Sequence, residues 1–221
     1  LIKFLLGKNM SVKRIIFLGN CDKTYFWATV ARRLIDLGYN VDWILVNSEQ
    51  VNQIGSEFPQ SKILYLPILI EPSEKCSDVK MNDLLYRDRR LKFMRKTGFE
   101  YLQHIQKPIN QFLMDNGSAL VVGELTYAYE ILTHRLVKDV SNCYWVSPFM
   151  TRNPTGRFSF FCDESFSREI DIPYETIKPS DLNDTSQTGY IESNKNIVKD
   201  LDSLGYVFKK LKSFLLNSRF D

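Results

Sequence analysis

The sequence predicts an α/β fold: a parallel sheet of about five or more strands with helices on both faces. Short runs rich in β-branched and aliphatic residues recur along residues 12–147, as in strands that are buried on both faces. Segments with apolar residues at helical spacing separate these runs. Because strands that alternate with helices form parallel sheets with right-handed crossovers, we expect a doubly wound, Rossmann-like sheet followed by a C-terminal helical arm.

Five segments have the composition of buried strands. The first, VKRIIFL, is a short apolar run that ends just before Gly19. The predicted strands cover residues 12–18, 41–46, 62–67, 119–123 and 143–147. Antiparallel pairing among these segments would contradict the predicted fold class.

Three segments between the predicted strands have helical periodicity. Residues 24–37 place apolar side chains at helical spacing, and Gly38 closes this helix as a C-terminal glycine does. A long helical region is predicted for residues 82–115, with Pro108 expected to kink or divide it. A further helix is predicted for residues 125–138.

The character of the sequence changes after residue 147. A turn-rich segment carries Phe158, Phe160 and Phe161, which we expect to be at least partly buried and to anchor their loop. Residues 171–197 are polar, as in a linker or arm. The amphipathic helix predicted within residues 198–221 must bury its apolar stripe against this domain or against a second one.

The chain is long enough for one domain with a tail. Residues 10–170 are predicted to form that domain. Residues 1–9 are interpreted as a leader or fragment end outside the fold, since Met10 stands just before the first strand.

The composition disfavours several classes of protein. A formal net charge of +3 is too small to indicate nucleic-acid binding, and no basic motif interleaved with aromatic residues supports it. The four cysteines are scattered, as in reduced cytoplasmic proteins, and the two histidines do not favour a metal site. No apolar run approaches the roughly 18 residues of a membrane span, and LIKFLLGKNM lacks the cleavage site of a signal peptide. We therefore predict a cytoplasmic protein with no metal site.

A basic run extends from Arg87 to Lys96. Such a run is usually the solvated face of a helix. The alternative is contact with an anionic glycan or with the inner face of a membrane.

The turn after the first strand, in RIIFLGNCDKTYF, has some features of a phosphate-binding loop. A Walker A loop, however, needs glycines where Phe17 and Asp22 stand, and the pattern Gly-x-Gly-x-x-Gly is also missing. The turn is therefore not predicted to hold a phosphate. Asp22 is interpreted instead as the cap of the helix that begins near Lys23, or as part of a binding crevice.

Polar side chains follow the predicted strands at their carboxyl ends, where open parallel sheets bind their ligands. Asn20 and Asp22 follow the first strand, and Glu124 follows the fourth. We expect the two carboxylates to overlook one crevice, where partial burial would make either of them a general base. The alternative for Glu124 is an acid in the first turn of a helix, favoured by the helix dipole. His134 is interpreted as a packed or surface histidine.

Two separated motifs resemble those of bacterial capsule and surface-polysaccharide biosynthesis proteins. The first is VVGELTYAYEILTHRL, which begins at Val121, and the second is YWVSPFMTRNPTGRFSFFCDESF, which begins at Tyr144. The second motif contains Arg152, Pro154, Gly156, Arg157, Phe158, Phe160, Phe161, Asp163 and Glu164. The resemblance covers roughly residues 10–170.

The resemblance implies a glycosyltransferase of the GT-B type, in which two Rossmann-like domains face a cleft. In such enzymes the carboxyl-terminal domain generally holds the nucleotide-sugar donor, and the amino-terminal domain contributes much of the acceptor site. This chain is about half the expected length. The resemblance therefore implies the acceptor-side domain alone, without a cofactor of its own and inactive by itself, with a glycan or lipid-linked glycan as acceptor.

The resemblance also implies roles for individual residues. Glu124 is the candidate base that activates an acceptor hydroxyl if the enzyme inverts at the anomeric carbon, and Asp22 is the secondary candidate. The implied acceptor-binding residues are Asn20, Tyr127, Glu130, Arg152 and Arg157. Among these, the two arginines would pair with an anionic acceptor. In the alternative, the two arginines tie their loop to Asp163 and Glu164.

Two other classes of protein are compatible with the sequence. One is a non-catalytic, doubly wound module that serves in assembly or regulation. The other is a nucleotide-dependent oxidoreductase. The missing glycine fingerprint disfavours the oxidoreductase, and the only acid that follows the second strand closely is Glu49.

Overall fold

The computed structural model describes residues 12–20, 23–67, 81–88, 91, 95–150 and 158–170. The strands are β1 Arg14–Leu18, β2 Asn40–Leu45, β3 Ile63–Tyr65, β4 Ala119–Val122, β5 Cys143–Met150 and β6 Phe158–Phe161. The helices are α1 Lys23–Asp36, α2 Ser48–Glu57, α3 Met81–Arg87, α4 Arg95–Asn116 and α5 Ala128–Val137.

The strands form one sheet in the order β3-β2-β1-β4-β5-β6. The first five strands along the chain are parallel, and β6 pairs with β5 in antiparallel orientation. In the centre of the sheet, Phe17 lies between Trp43 of β2 and Val122 of β4. The predicted α/β class with a Rossmann-like, mostly parallel sheet is therefore confirmed.

The chain changes direction across the sheet between β1 and β4. From β1 it winds outward through β2 to β3, and it then crosses back to place β4 on the other side of β1. In open parallel sheets, this switch point leaves a crevice beyond the carboxyl ends of the two central strands. The candidate site is therefore expected where β1 and β4 end.

Each face of the sheet has its own apolar core. Side chains alternate along β1, so that Ile16 and Leu18 belong to one core while Ile15 and Phe17 belong to the other. The first core includes apolar residues of α3, α4 and α5, and the second includes residues of α1 and α2. A parallel strand buried on both faces is continuously apolar, which is why these strands were recognisable in the sequence.

The helical elements differ from the predicted ones in two places. Helix α2 was not predicted. It begins after Asn47, whose side-chain oxygen accepts the Glu49 N–H at 2.8 Å. The single helical region predicted for residues 82–115 consists of two helices, and the helix that contains Pro108 continues through it. The separation lies near Asp88, whose side chain accepts the Leu91 N–H at 2.9 Å and so competes with helical pairing.

The turn-rich segment predicted after residue 147 includes the end of β5 and strand β6, whereas residues 151–157 of the predicted loop lie outside the described residues. Strand β5 continues to Met150, and Phe160 lies opposite Pro148 in the antiparallel pairing. Phe160 and Phe161 are partly buried, as predicted. Phe160 packs against the core on the α1 and α2 face, which supports the predicted anchoring of this segment.

Some predicted features lie outside the described residues. They are the leader 1–9, Asp22, most side chains of the Arg87–Lys96 run, Arg152, Arg157, the side chain of Phe158, and residues 171–221. Among the described helices, none is long and apolar enough to cross a membrane.

Candidate functional site

Two glycines bring the turns after β1 and β4 close to their neighbours. A Cβ atom on Gly19 would lie 2.3 Å from Leu45 Cδ2, and one on Gly123 would lie 2.5 Å from Trp145 Cη2. Both distances are far below normal contact, so a side chain at either position would displace its neighbour. These glycines therefore let the two turns leave the sheet next to each other at the switch point.

Glu124 lies at this edge of the sheet and contacts Lys23, where the connection from β1 to α1 ends. The Lys23 ammonium group, at the beginning of α1, forms an ion pair with Glu124 Oε2. The Glu124 side chain is only 13% exposed, whereas the Lys23 side chain is 56% exposed. The structure thus places Glu124 within reach of the β1 turn, where its predicted role requires it, and pairs it with a lysine that sequence reasoning had not assigned to the site.

The residue after Glu124 has an unfavourable backbone conformation. Leu125 has a φ of +58°, in the left-handed region that residues other than Gly, Asn and Asp rarely adopt. Its side chain is buried in the core beside α5, and this burial offsets the strain. The turn separates Glu124 from α5, which begins at Ala128. Glu124 is therefore not an acid of the first helical turn, and that alternative is wrong.

Glu130 is the acid of the first turn of α5, and it is fully buried. Its Oε2 accepts the N–H groups of Thr126 and Tyr127 at 2.7 and 2.8 Å. Its Oε1 lies 3.4 Å from the Glu124 N–H and 3.4 Å from Asn20 Nδ2. This carboxylate holds the whole β4–α5 turn in place, as the glutamate of a capping box does.

Burial raises the pKa of Glu130 to about 7, and the nearby Glu124 charge acts in the same direction, while the backbone N–H groups oppose it. Because the side chain has no exposed surface and its oxygens face N–H donors, the structure argues against the sugar-binding role predicted for Glu130. We assign it a positioning role instead.

Two further buried side chains support the same turn, and sequence reasoning identified neither. Asp88 Oδ2 accepts the Ala128 N–H at 2.8 Å, so Asp88 caps α5 from 40 positions earlier in the chain. The Tyr129 hydroxyl donates to the Gly19 carbonyl and joins α5 to the β1 turn. Neither side chain has a local sequence signal, since each acts on a backbone group that is distant in sequence.

The other predicted site residues take different positions. Asn20 is 6% exposed, and its amide group faces Glu130 rather than solvent. Tyr127 is the N-cap residue of α5, is partly buried and stacks on Tyr129 with ring centroids 6.1 Å apart. Asp22, Arg152 and Arg157 lie outside the described residues.

A second polar cluster joins the segment after β6 to the helices. Glu164 accepts from Arg135 Nε at 2.8 Å and from Arg87 Nη1 at 2.8 Å, and Arg135 Nη2 also donates to Asp83 Oδ2 at 2.6 Å. The hydrogen bonding with Arg135, and to a smaller extent that with Arg87, lowers the pKa of Glu164 to about 2. Asp163 instead accepts the backbone N–H of Arg168 at 2.8 Å and those of nearby serines.

The alternative in which Arg152 and Arg157 tie their loop to Asp163 and Glu164 stays a prediction, because both arginines lie outside the described residues. Among the described residues, the partners of Glu164 are Arg135 and Arg87 from two different helices, together with His134.

His134 is a packed histidine, as interpreted from the sequence. Its Nε2 lies 3.3 Å from the Cys162 carbonyl oxygen, and its ring contacts Trp145 edge to face. Burial lowers the pKa of His134, so the neutral imidazole is favoured. In the part of the chain that the structure describes, no group of three His, Cys, Asp or Glu side chains is placed to hold a metal ion.

The comparisons with known proteins give no family. No protein-family model matches this chain, and a search of curated proteins finds no significant relative. The fold and the geometry at the switch point are the features of this chain that point to a function.

Proposed function

We propose that this chain is the acceptor-side domain of a glycosyltransferase-like protein of bacterial capsular or surface-polysaccharide biosynthesis. The observation that carries the proposal is the position of Glu124. Its carboxylate lies at the switch point of the parallel sheet, in contact with the β1 turn, where this class of fold binds ligands. The resemblance of the segments around Gly123 and Arg152 to such proteins supports the same assignment.

In the proposed reaction, Glu124 accepts the proton of an acceptor hydroxyl. The hydroxyl oxygen attacks the anomeric carbon of the donor sugar, and the bond from that carbon to the nucleotide phosphate breaks. The donor is bound mainly by a second domain that faces this one, which supplies the groups that neutralise the leaving phosphate. A positioned general base of this kind contributes about 10²–10⁴-fold to the rate.

The surroundings of Glu124 suit a group that must be held in one place. Glu130 fixes the turn on one side, and Asp88 caps the helix that follows it. The strained Leu125 is held by its burial in the core. A base held in this way loses little entropy when it meets its substrate, which is the general advantage of preorganised sites.

A non-catalytic module is the second candidate, and one observation favours it. Both acids that the structure describes at the switch point already have a structural partner: Glu124 has Lys23, and Glu130 has the backbone of its own turn. Acids with such partners can serve the fold alone. An oxidoreductase is the weaker third candidate, because Gly19 is the only glycine in the turn after β1.

The test separates transfer from binding. The protein made from its complete coding sequence would be incubated with a panel of nucleotide sugars and with polysaccharide fragments from the producing cell. We expect a product that contains the donor sugar and that forms only when donor and acceptor are both present, measured by mass spectrometry. Binding of the fragments with no product from any donor would favour the non-catalytic module.

A further inference from the structure

Lys23 occupies an oxygen that the proposed reaction needs. A general base must lie within hydrogen-bond reach of the proton that it accepts, but Glu124 Oε2 is in contact with Lys23 Nζ. Only 13% of the Glu124 side chain is exposed, so an acceptor has little access to it while Lys23 stays in place. For Oε2 to accept this proton, the ammonium group must move away.

Lys23 is well suited to such a movement. Its side chain is 56% exposed, and the lysine stem is long and flexible. Ion pairs that involve an exposed lysine are weak, because water solvates the ammonium group almost as well. The cost of separating Lys23 from Glu124 is small if the ammonium group gains another anion in exchange.

The ion pair is not needed to hold the two turns together. The buried Tyr129 hydroxyl already joins α5 to Gly19, and Asn20 already faces Glu130 across the same gap. These contacts are shielded from water, so they contribute more to the junction than an exposed lysine does. A purely structural role would leave Lys23 redundant.

We propose that Lys23 selects acceptors that carry an oxyanion, a carboxylate or a phosphate, next to the attacking hydroxyl. The inference rests on the proposed function and deepens it. The oxyanion of the acceptor draws the ammonium group away from Glu124 and frees Oε2, whereas a neutral acceptor offers no replacement for the lost pairing. Acceptor recognition and the exposure of the base are thereby coupled through one side chain.

The proton and electron balance of the step is complete. The hydroxyl proton passes to Glu124 Oε2, and the hydroxyl oxygen forms the new bond to the anomeric carbon. The electron pair of the broken bond leaves on the nucleotide phosphate. Lys23 takes part only by binding the oxyanion and exchanges no proton.

The first arm of the test needs neither a donor nor a known sugar. Sodium phosphate or sodium acetate would be titrated into the protein at constant ionic strength, with sodium chloride as the reference, while the NMR signals of Lys23 and Glu124 are followed. Lys23→Met keeps most of the stem and removes the charge. Lys107→Met is the matched control, because Lys107 is an exposed lysine on α4.

We expect saturable shifts of the Lys23 and Glu124 signals with phosphate or acetate, in the wild type and in Lys107→Met. In Lys23→Met, the Glu124 shift should be lost, and the urea midpoint should stay unchanged. The two salts show whether phosphate, carboxylate or both are accepted. The absence of a saturable shift with either salt, or the same Glu124 shift in Lys23→Met, would overturn the inference.

The second arm measures transfer to paired acceptors that differ only in one carboxylate or phosphate group. The wild type should prefer the charged acceptor by about tenfold, as expected for a charge-assisted hydrogen bond, and Lys23→Met should lose this preference. An equal preference in both proteins would assign selection to another cation and overturn the inference, while the proposed function would stand. Anion binding at Lys23 without transfer to any acceptor would support the binding site and contradict the proposed function.

Discussion

At the scale of the residue, the switch point contains two glutamates with different environments. Glu124 is partly exposed and paired with Lys23, whereas Glu130 is fully buried among backbone N–H groups. Glu124 was a candidate site residue because it follows the fourth strand, and Glu130 was one because the resemblance implied it. The sequence did not distinguish them, since burial depends on how α5 packs on the sheet. Lys23 and Asp88 were not predicted as site residues for the same reason. Their partners, Glu124 and the Ala128 N–H, lie 101 and 40 positions away in the sequence.

Glu130 makes stability depend on pH. Its pKa is raised from 4.5 to about 7 by burial, so the folded protein holds this proton more tightly than the unfolded chain. Its contribution is fully present below pH 4.5 and is lost as the pH rises through about 7. The loss amounts to about 3 kcal/mol of unfolding free energy at most.

This effect is measured as a difference between two proteins, because buried His134 contributes with the opposite sign. The pKa of His134 is lowered, so its contribution is lost as the pH falls below about 6.5. It is common to the wild type and to Glu130→Gln, and therefore cancels. In urea unfolding from pH 5 to pH 8, the wild type should lose stability relative to Glu130→Gln. A difference that stays constant across this range would contradict the assigned environment of Glu130.

At the scale of the element, the central strands were the most predictable parts of the molecule. Strands β1, β4 and the first part of β5 are buried on both faces, so their sequences are continuously apolar and contain no competing helical pattern. Helix α2 was missed because it is short and buries only Gln50 and Ile54. Strand β6 was not predicted because Pro154 and Gly156, which precede it in the sequence, are typical of a turn.

The turn after β4 should not tolerate a side chain on its glycine. In Gly123→Ala, the new Cβ would lie 2.5 Å from the Trp145 ring, which is buried and unable to move freely. We expect a loss of about 1–3 kcal/mol in unfolding free energy, the usual cost of overpacking.

Gly55→Ala is the matched control in α2, where the Cβ would meet only Ile63 Cδ1 at 3.6 Å. That variant should gain about 0.5–1 kcal/mol, because alanine favours a helix interior. Equal effects in urea unfolding would contradict the close packing at Gly123.

At the scale of the whole molecule, the two edges of the sheet have different charge arrangements. At the amino edge, Arg14 pairs with the buried Asp42 and donates to Asn116 at 3.0 Å, so its charge is satisfied within the fold. At the carboxyl edge, Lys23 keeps an exposed ammonium group beside Glu124. In an open parallel sheet, ligands bind beyond the carboxyl ends of the strands, which is why the edge of the candidate site could be predicted before its side chains were known.

Arg135 joins three parts of the molecule, because it contacts Asp83 of α3 and Glu164 beyond β6 from its own position in α5. Arg135→Gln should therefore lower the unfolding free energy by about 1–3 kcal/mol and speed amide exchange in residues 158–170.

Arg32→Gln is the control, since in the described part of the chain Arg32 pairs with Glu57 in a mostly exposed ion pair. That pair should contribute about 0.2–1 kcal/mol. Equal exchange rates across residues 158–170 in the two variants would show that Arg135 does not hold this segment.

The central claim is that Glu124 accepts the proton of the acceptor, and the most direct test is the effect of Glu124→Gln on transfer by the complete protein. Glutamine keeps the shape of the side chain but cannot act as a base. Glu57→Gln is the matched control, because it also removes a glutamate from an ion pair, near the opposite edge of the sheet. We predict that kcat falls by about 10²–10⁴-fold in Glu124→Gln, with acceptor binding unchanged and with Glu57→Gln close to the wild type. Near-normal turnover in Glu124→Gln would contradict the claim.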